Sequence, residues 1–213
     1  MKIRMKLSMF LRAGLICLST IILIACSEAS KVGNEKSAIV PPSRSPVTGR
    51  FAFQRMFMQA KGWAVDAQPL SLSAIFLKQV PVEPGKCGAW QATFISPQKA
   101  KAKSYTFSVV DTGGIREGVL AGREEAWSGP RGQEQPFNPQ GLHVDSDEAY
   151  AKAAKENADY IKKNPNLPVL FLLEQTPRFP NLTWRVFWGE TIGSSHHSVF
   201  IDASTGLYLQ TLH

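Results

Sequence analysis

The chain has 213 residues, of which 24 are Lys or Arg and 17 are Asp or Glu, so its formal net charge is +7. Four basic and no acidic residues lie among the first 25, and the rest of the chain carries 20 basic and 17 acidic side chains, a net charge of about +3. This near balance argues against a nucleic-acid partner.

The N-terminus combines basic residues with a short apolar run over residues 13–25, which is typical of a secretory signal. The run ends in Leu23-Ile24-Ala25-Cys26, which resembles the lipobox of bacterial lipoproteins. The resemblance implies that residues 1–25 are a cleaved signal peptide and that Cys26 carries lipid. By resemblance to lipoproteins of diderm bacteria, Ser27 implies the outer membrane, with the globular part facing the periplasm. The alternative is an uncleaved anchor, since residues 9–25 approach the roughly 17–20 residues that span a bilayer.

The cysteines exclude an intramolecular disulfide in the mature chain. Cys17 lies in the predicted signal peptide and Cys26 is the predicted lipid site, which leaves Cys87 alone. We interpret Cys87 as an incidental loop residue and not as a reactive thiol. Stability must then come from an apolar core.

The residues after the predicted cleavage site, 26–47, are rich in Ser, Lys, Pro and Glu and have no apolar periodicity. Such a segment cannot bury enough apolar surface to offset the entropy of ordering, so we predict a flexible tether.

A first α+β unit is predicted over residues 48–121. Apolar residues recur at spacings of three and four between residues 51 and 63, which indicates an amphipathic helix. Strands are predicted over 70–77, 89–95, 105–111 and 115–121, with a basic loop over 97–103.

A connector rich in Gly and Pro, 122–144, precedes a second predicted unit, 145–213. Asp145 and Glu148 have the spacing of a helix-capping pair, and this helix is predicted to end near residues 162–165. Strands are predicted over 169–173, 184–188, 198–202 and 207–209.

The two halves have the same order of predicted elements. Trp90 matches Trp184 at an offset of 94 residues, and residues 107–111 match 198–202 at an offset of 91. The alternative is that these matches between the two halves arose by chance, because many α+β segments share such spacings. We predict an α+β fold in which helices pack on an antiparallel sheet, arranged as two tandem helix-plus-sheet units.

The C-terminal hairpin carries a family resemblance. The segments Thr183-Trp184-Arg185-Val186-Phe187-Trp188 and Ser198 to Leu209 resemble the PepSY family, over roughly residues 146–211. The resemblance implies a non-catalytic periplasmic or cell-surface domain, which in some relatives is associated with restraint of peptidases. The first half departs from the pattern at residues 111–114. Independently of the family, Asp202 and Gly206 predict a tight turn, because Asp can bond to the turn backbone and Gly can adopt a positive φ.

Histidine is the first candidate for a site. His196 and His197 are adjacent, and His143 and His213 lie elsewhere in the chain. No Cys or His stands near them at a regular metal-ligand spacing, so we interpret the pair as polar residues of a hairpin tip and predict no metal and no cofactor.

The other candidates are also interpreted as structural or solvent-exposed. No nucleophile motif surrounds the serines near the histidines, and paired carboxylates for glycoside chemistry are less common than surface acids. Trp184 and Trp188, with Val186 between them, indicate a core stripe. These candidates are Ser194, Ser195, Ser198, Glu124, Glu125, Glu190, Trp63, Trp90, Trp127, Lys99, Lys101 and Lys103.

The sequence therefore predicts a lipid-anchored, non-enzymatic module that binds or regulates a protein or peptide partner in the cell envelope. Two alternatives stay open: an envelope hydrolase that acts on cell-wall or glycan polymers, and a structural envelope lipoprotein.

Overall fold

A computed structural model describes residues 45–81, 83–130 and 134–213. The predicted signal peptide, the predicted lipid site Cys26 and nearly all of the predicted tether lie outside these residues. Of the tether, Pro46 is buried and Val47 begins the first strand, so ordered structure begins slightly earlier than predicted. Within the described ranges, no helix combines the length and apolar character needed to cross a bilayer.

The described residues form three α-helices, one short 3-10 helix and ten strands. The helices are α1 Gly49–Trp63, α2 Ser146–Glu156 and α3 Ala158–Lys163, and the 3-10 helix is Pro139–Gly141. The strands are β1 Val47–Thr48, β2 Gln68–Ile75, β3 Lys86–Cys87, β4 Ala89–Ser96, β5 Lys101–Ser108, β6 Gly118–Ala126, β7 Val169–Glu174, β8 Thr183–Trp188, β9 Ser198–Asp202 and β10 Tyr208–Leu212.

Eight strands form one antiparallel sheet in the order β10-β9-β8-β7-β2-β4-β5-β6. The first half of the chain supplies β2, β4, β5 and β6, and the second half supplies β7 to β10. Strands β2 and β7 pair at the middle, and each follows the helices of its own half. The predicted α+β class, with helices on an antiparallel sheet, is confirmed, and the sheet is continuous across the two halves.

The helices pack on one face of the sheet, and this face forms the core. Helix α1 contacts β2, β4 and β5, and α2 contacts β8 and β9. Side chains alternate along a strand, so residues paired across neighbouring strands share a face. One row on this face is completely or almost completely buried: Tyr105, Ala92, Leu72, Leu173, Trp184 and Ile201.

Helix α1 begins at a threonine cap. The Oγ1 atom of Thr48 accepts a hydrogen bond from the backbone N–H of Phe51 at 3.4 Å, which satisfies one of the free donors of the first turn. The buried face of the helix includes Phe53, Met56 and Ala60, which have the predicted spacing, together with Ala52 and Gly49. The predicted amphipathic helix is therefore confirmed.

The second helix begins and ends as predicted but is broken in the middle. Asp145 and Glu148 form the predicted capping box. Asn157, with φ −130°, separates α2 from α3, and α3 ends at Lys163. The side-chain amide of Asn157 donates to the carbonyl of Ala153 at 3.1 Å, and this kind of local bond competes with helix continuation.

Two predictions for the strands at the far edge of the sheet are wrong. The predicted basic loop 97–103 ends sooner, because Ala100, with φ 50°, closes a turn and β5 begins at Lys101. The predicted strand 115–121 is displaced to β6 Gly118–Ala126, inside part of the predicted connector. Most of β6 is exposed, so it lacks the buried alternation that marks a strand in sequence. The division into units stays a prediction.

The predicted turn after β9 is confirmed. The Oδ1 atom of Asp202 accepts from the backbone N–H groups of Ser204 and Thr205 at 2.8 and 2.9 Å. Gly206 has φ 75° and donates its N–H to the carbonyl of Asp202. The turn is structural, since its polar groups bond to its own backbone.

Candidate functional site

The face of the sheet opposite the helices has a different composition. One row across seven strands is mainly polar: Thr106, Gln91, Ser73, Leu172, Arg185, Phe200 and Gln210. We call the surface that contains this row the helix-free face. Apolar helix-facing rows alternate with it along each strand. The helix-free side is partly solvated at β2, β4 and β5, whereas at β7 to β9 it includes the buried residues Leu172, Ser198 and Phe200.

The half of the helix-free face formed by β2, β4 and β5 carries small polar side chains. Thr93 and Ser104 share a hydrogen bond between their hydroxyls at 3.0 Å, and the amide of Gln91 donates to Thr106 Oγ1 at 3.4 Å. Gln91 is exposed and Ser73 is half-buried. This half therefore presents hydrogen-bonding groups around Gln91, although Ala89 and Ile95 on the same side of β4 are fully buried.

The other half of the helix-free face is built around Phe200. The guanidinium carbons of Arg178 and Arg185 lie 5.1 and 5.6 Å from the centre of the Phe200 ring, within the range of cation–π contact. Arg185 donates through Nε to Ser198 Oγ at 3.0 Å, and Arg178 donates through Nη2 to Gln210 Oε1 at 2.8 Å. Each guanidinium uses one of its N–H groups in these bonds, which leaves further donors on both arginines.

Glu174 lies at the middle of the sheet, between the two halves. Burial raises the pKa of the Glu174 carboxyl, and nearby Glu134 raises it further, while Arg185 acts in the opposite direction. The acidic groups near the middle of the sheet thus lie beside two arginines, Arg185 on β8 and Arg178 in the loop before β8.

A second feature is a cleft of about 380 Å³ beside α3, with His197 and His213 among its lining residues. His197 is only 2% exposed, and its ring stacks on Tyr160 with the ring centres 3.8 Å apart and an interplanar angle of 9°. The ring centres of His197 and His213 are 5.0 Å apart. We call this feature the histidine cleft.

The hydrogen bonds of Asn157 determine the tautomer of His197. Because Asn157 Nδ2 donates to the carbonyl of Ala153, the other side-chain atom, Oδ1, faces His197 Nε2 at 2.8 Å. A carbonyl oxygen only accepts, so His197 Nε2 carries the proton and Nδ1 carries the lone pair. Nδ1 is buried and has no hydrogen-bond partner.

The prediction that His196 and His197 are both polar residues of a hairpin tip is half wrong. His196 is exposed, as expected, but His197 is buried beside Tyr160 and Trp188 because β9 begins directly after it. His143 is elsewhere, with Nδ1 3.2 Å from the carbonyl oxygen of Ser204.

The serine candidates are not paired with a histidine base in the described part of the chain. Ser194 bonds to Thr191, Ser195 donates to the backbone carbonyl of His197, and Ser198 accepts from Arg185. None of these contacts is the hydroxyl-to-imidazole bond that activates a serine nucleophile.

The acidic candidates are dispersed. Glu124 accepts from the indole N–H of Trp63 at 2.7 Å, Glu125 lies on the exposed strand β6, and Glu190 is exposed in the loop after β8. The basic candidates Lys99 and Lys103 flank the same ring, Trp63, at 5.3 and 5.8 Å. Glu124, Lys99 and Lys103 therefore form a structural cluster around Trp63 at the end of α1.

The tryptophans and the cysteine mostly belong to the core. Trp90, Trp184 and Trp188 are buried, whereas Trp127 is partly exposed near the edge strand. Cys87 lies in β3 and not in a loop, and burial raises the pKa of its thiol to about 12. A thiol that stays protonated is a poor nucleophile.

Sequence reasoning missed the helix-free face and Asn157. The signal for the face was the alternation of small polar residues in β2 and β4, where Ser71, Ser73, Gln91 and Thr93 are every second residue. The signal for the cleft was an asparagine inside a predicted helix, where its side chain competes with the helix backbone. Across residues 45–81, 83–130 and 134–213, no three His, Cys, Asp or Glu side chains converge as a ready set of metal ligands.

Comparison with known proteins gives one similar structure and no family. No family model matches the chain, and no curated protein matches it. A crystal structure from Clostridium difficile 630, of a protein provisionally named a lipoprotein, is 10% identical and covers 75% of this chain and 91% of its own, with a TM-score of 0.45. Any assignment of function to this chain therefore depends on its own residues.

Proposed function

We propose that this chain is a lipid-anchored lipoprotein of the bacterial cell envelope that binds a protein or peptide partner through the helix-free face and performs no chemistry. The lipid is placed on Cys26, the globular part faces the periplasm, and the outer membrane is the preferred site because of Ser27. The proposal also includes two tandem PepSY-like units and, from that resemblance, modulation of a peptidase.

The observation that carries the binding proposal is the contrast between the two faces of one sheet. The helix-facing row is buried, whereas the opposite row exposes Gln91 and leaves four polar residues half-buried: Thr106, Ser73, Arg185 and Gln210. Leu172 and Phe200 of the opposite row are buried, and Arg185 keeps free donors beside Phe200. A broad face with scattered hydrogen-bonding groups and an arginine–aromatic cluster suits a protein or peptide partner, in whose interfaces Arg and aromatic residues are enriched.

The tandem arrangement is supported by equivalent contacts in the two halves. The indole N–H of Trp90 donates to the carbonyl of Val47, and that of Trp184 donates to the carbonyl of Val144. Each valine directly precedes the N-cap residue of a helix, Thr48 for α1 and Asp145 for α2. Repeated use of one contact in the same place is what a duplicated unit would produce.

Lipid anchoring is tested by mass spectrometry of the full chain purified in detergent from its native host. The expected N-terminus is an acylated Cys26, and a Cys26→Ser variant should keep its signal peptide and lose the lipid mass. An N-terminus that still begins at Met1 with an unmodified thiol at position 26 would overturn the proposal.

Partner binding is tested by pull-down from envelope extracts with two matched variants of the detergent-purified chain. Gln91→Arg places a bulky charge on the helix-free face, and Gln54→Arg does the same on the exposed side of α1. We expect a captured envelope protein or peptide to be lost with Gln91→Arg and retained with Gln54→Arg. Equal capture by both variants would show that the face is not the binding surface, and capture of a peptidase would support the peptidase-modulating role.

A further inference from the structure

His197, which lines the histidine cleft, has a lone pair that the fold leaves without a partner. His197 Nε2–H is held by Asn157 Oδ1, which leaves Nδ1 as a buried acceptor without a hydrogen bond. Leaving a buried acceptor unpaired costs about 1–3 kcal/mol, and such groups are uncommon in folded proteins. A ligand that accepts an electron pair would satisfy the Nδ1 atom of His197.

The arrangement around His197 is the one that metal-binding histidines have. A histidine ligand commonly donates its second ring N–H to a carbonyl or carboxylate oxygen, which fixes the ring and directs the other nitrogen at the metal. Asn157 provides this oxygen, and it is itself fixed by its bond to Ala153. Stacking on Tyr160 fixes the plane of the His197 ring.

A second imidazole lies at a suitable distance. Zinc–nitrogen bonds are about 2.0–2.1 Å long, so two imidazoles on one tetrahedral ion have their ring centres about 5 Å apart. The ring centres of His197 and His213 are 5.0 Å apart, with an interplanar angle of 53°. His213 is exposed, so its ring can adjust to an ion more easily than the ring of His197.

The cleft suits a hydrated cation in volume and charge. Its volume of about 380 Å³ leaves space for bound water. The charged residues of its lining balance, since Lys155 and Lys163 are offset by Glu156 and Asp159. With two imidazoles as the protein ligands, water would complete the coordination shell.

We propose that His197 and His213 form a two-imidazole site for a divalent late first-row transition metal in the histidine cleft. Imidazole nitrogen suits Cu²⁺, Ni²⁺ and Zn²⁺, and the general order of affinity predicts that Cu²⁺ binds most tightly. The site does not depend on the proposed binding face, because the two features involve different residues.

The test is Cu²⁺ titration of the detergent-purified full chain, followed by electron paramagnetic resonance and by calorimetry. The variants are His213→Ala, His197→Gln and the matched control His196→Gln, which changes the exposed neighbour. We expect nitrogen hyperfine splitting from two imidazoles in the wild type and in His196→Gln. We also expect at least about tenfold weaker binding in His213→Ala and His197→Gln.

Because His197→Gln could unfold the chain, the exposed residue His213 provides the decisive variant. Equal Cu²⁺ affinity in wild type, His213→Ala and His196→Gln would overturn the proposal. A wild-type spectrum without imidazole nitrogen would also overturn it.

Discussion

Trp90 and Trp184 contact each other edge to face at the centre of the core, with their ring centres 6.3 Å apart and an interplanar angle of 68°. Both side chains are fully buried, and each donates its N–H to a backbone carbonyl just before a helix. The pair therefore connects the two halves of the sheet to the starts of both helices.

The two indole bonds differ in burial, which predicts unequal effects of the same substitution. The bond from Trp184 to Val144 is buried, and the bond from Trp90 to Val47 is partly buried. Trp184→Phe should lower the free energy of unfolding by at least about 2 kcal/mol, because it leaves a buried carbonyl unpaired and removes core volume. Trp90→Phe should cost less, since water can reach the carbonyl of Val47. Urea denaturation measures both, with Trp127→Phe as a control expected within about 0.5 kcal/mol of wild type.

Two glycines in α1 predict opposite effects of the same substitution. A Cβ atom added at Gly49 would lie 2.7 Å from Trp184 Cη2 and 3.1 Å from Trp90 Cη2. A Cβ atom added at Gly62 would have no neighbouring atom within 4 Å. Gly49→Ala should therefore destabilise the fold, by about 1–3 kcal/mol for an overpacked core. Gly62→Ala should stabilise it by about 0.5–1 kcal/mol, because alanine favours a helix over glycine.

Thermal unfolding of the two alanine variants checks this prediction. The expected melting temperatures lie on opposite sides of the wild-type value. A Gly49→Ala variant as stable as wild type would mean that the tryptophan pair can move apart without cost.

The thiol of Cys87 should be inert in the folded chain. Burial raises its pKa to about 12, so the reactive thiolate is scarce at neutral pH. Because a Cys26→Ser variant keeps the signal peptide that contains Cys17, the double variant Cys17→Ser, Cys26→Ser is the one that leaves Cys87 as the only thiol of the sequence. It should react with a disulfide reagent in urea and not in native buffer, and a rapid native reaction would contradict the burial of Cys87.

The sequence predicted the elements whose residues carry their own local signal. The helix face of α1, the Asp145–Glu148 capping pair and the Asp202–Gly206 turn each depend on spacing within a few residues. The most distinctive part of the PepSY resemblance is the same turn. In the structure the polar groups of this turn bond to its own backbone, so its role is structural.

What the sequence could not provide depends on contacts between distant residues. His197 and Asn157 are 40 residues apart, and neither has a motif around it that indicates a shared site. The predicted position of β6 was too early in the chain, because an exposed edge strand has no buried face to mark its ends. The helix-free face emerges only when the register of seven strands brings single residues into one row.

The state of His197 predicts how stability depends on pH. Burial lowers the pKa of His197 below its usual value of 6.5, and neighbouring His213 lowers it further. In the unfolded chain this histidine takes up its proton near pH 6.5, so between that value and the lowered pKa the unfolded state binds more protons than the folded state. The contribution of His197 to stability is therefore complete above about pH 6.5 and is lost as the pH falls through the window below it.

Urea denaturation of three chains across this window, with metal removed by a chelator, checks the prediction. Wild type and His196→Gln should lose stability in parallel as the pH falls below about 6.5, and His197→Gln should show a smaller slope because glutamine does not titrate. The slopes are compared instead of the absolute free energies, since glutamine changes packing against Tyr160 at every pH. Identical slopes in His197→Gln and wild type would mean that His197 has the same pKa in the folded and unfolded chains. This result would contradict the prediction, which rests on the burial of the unpaired Nδ1 atom.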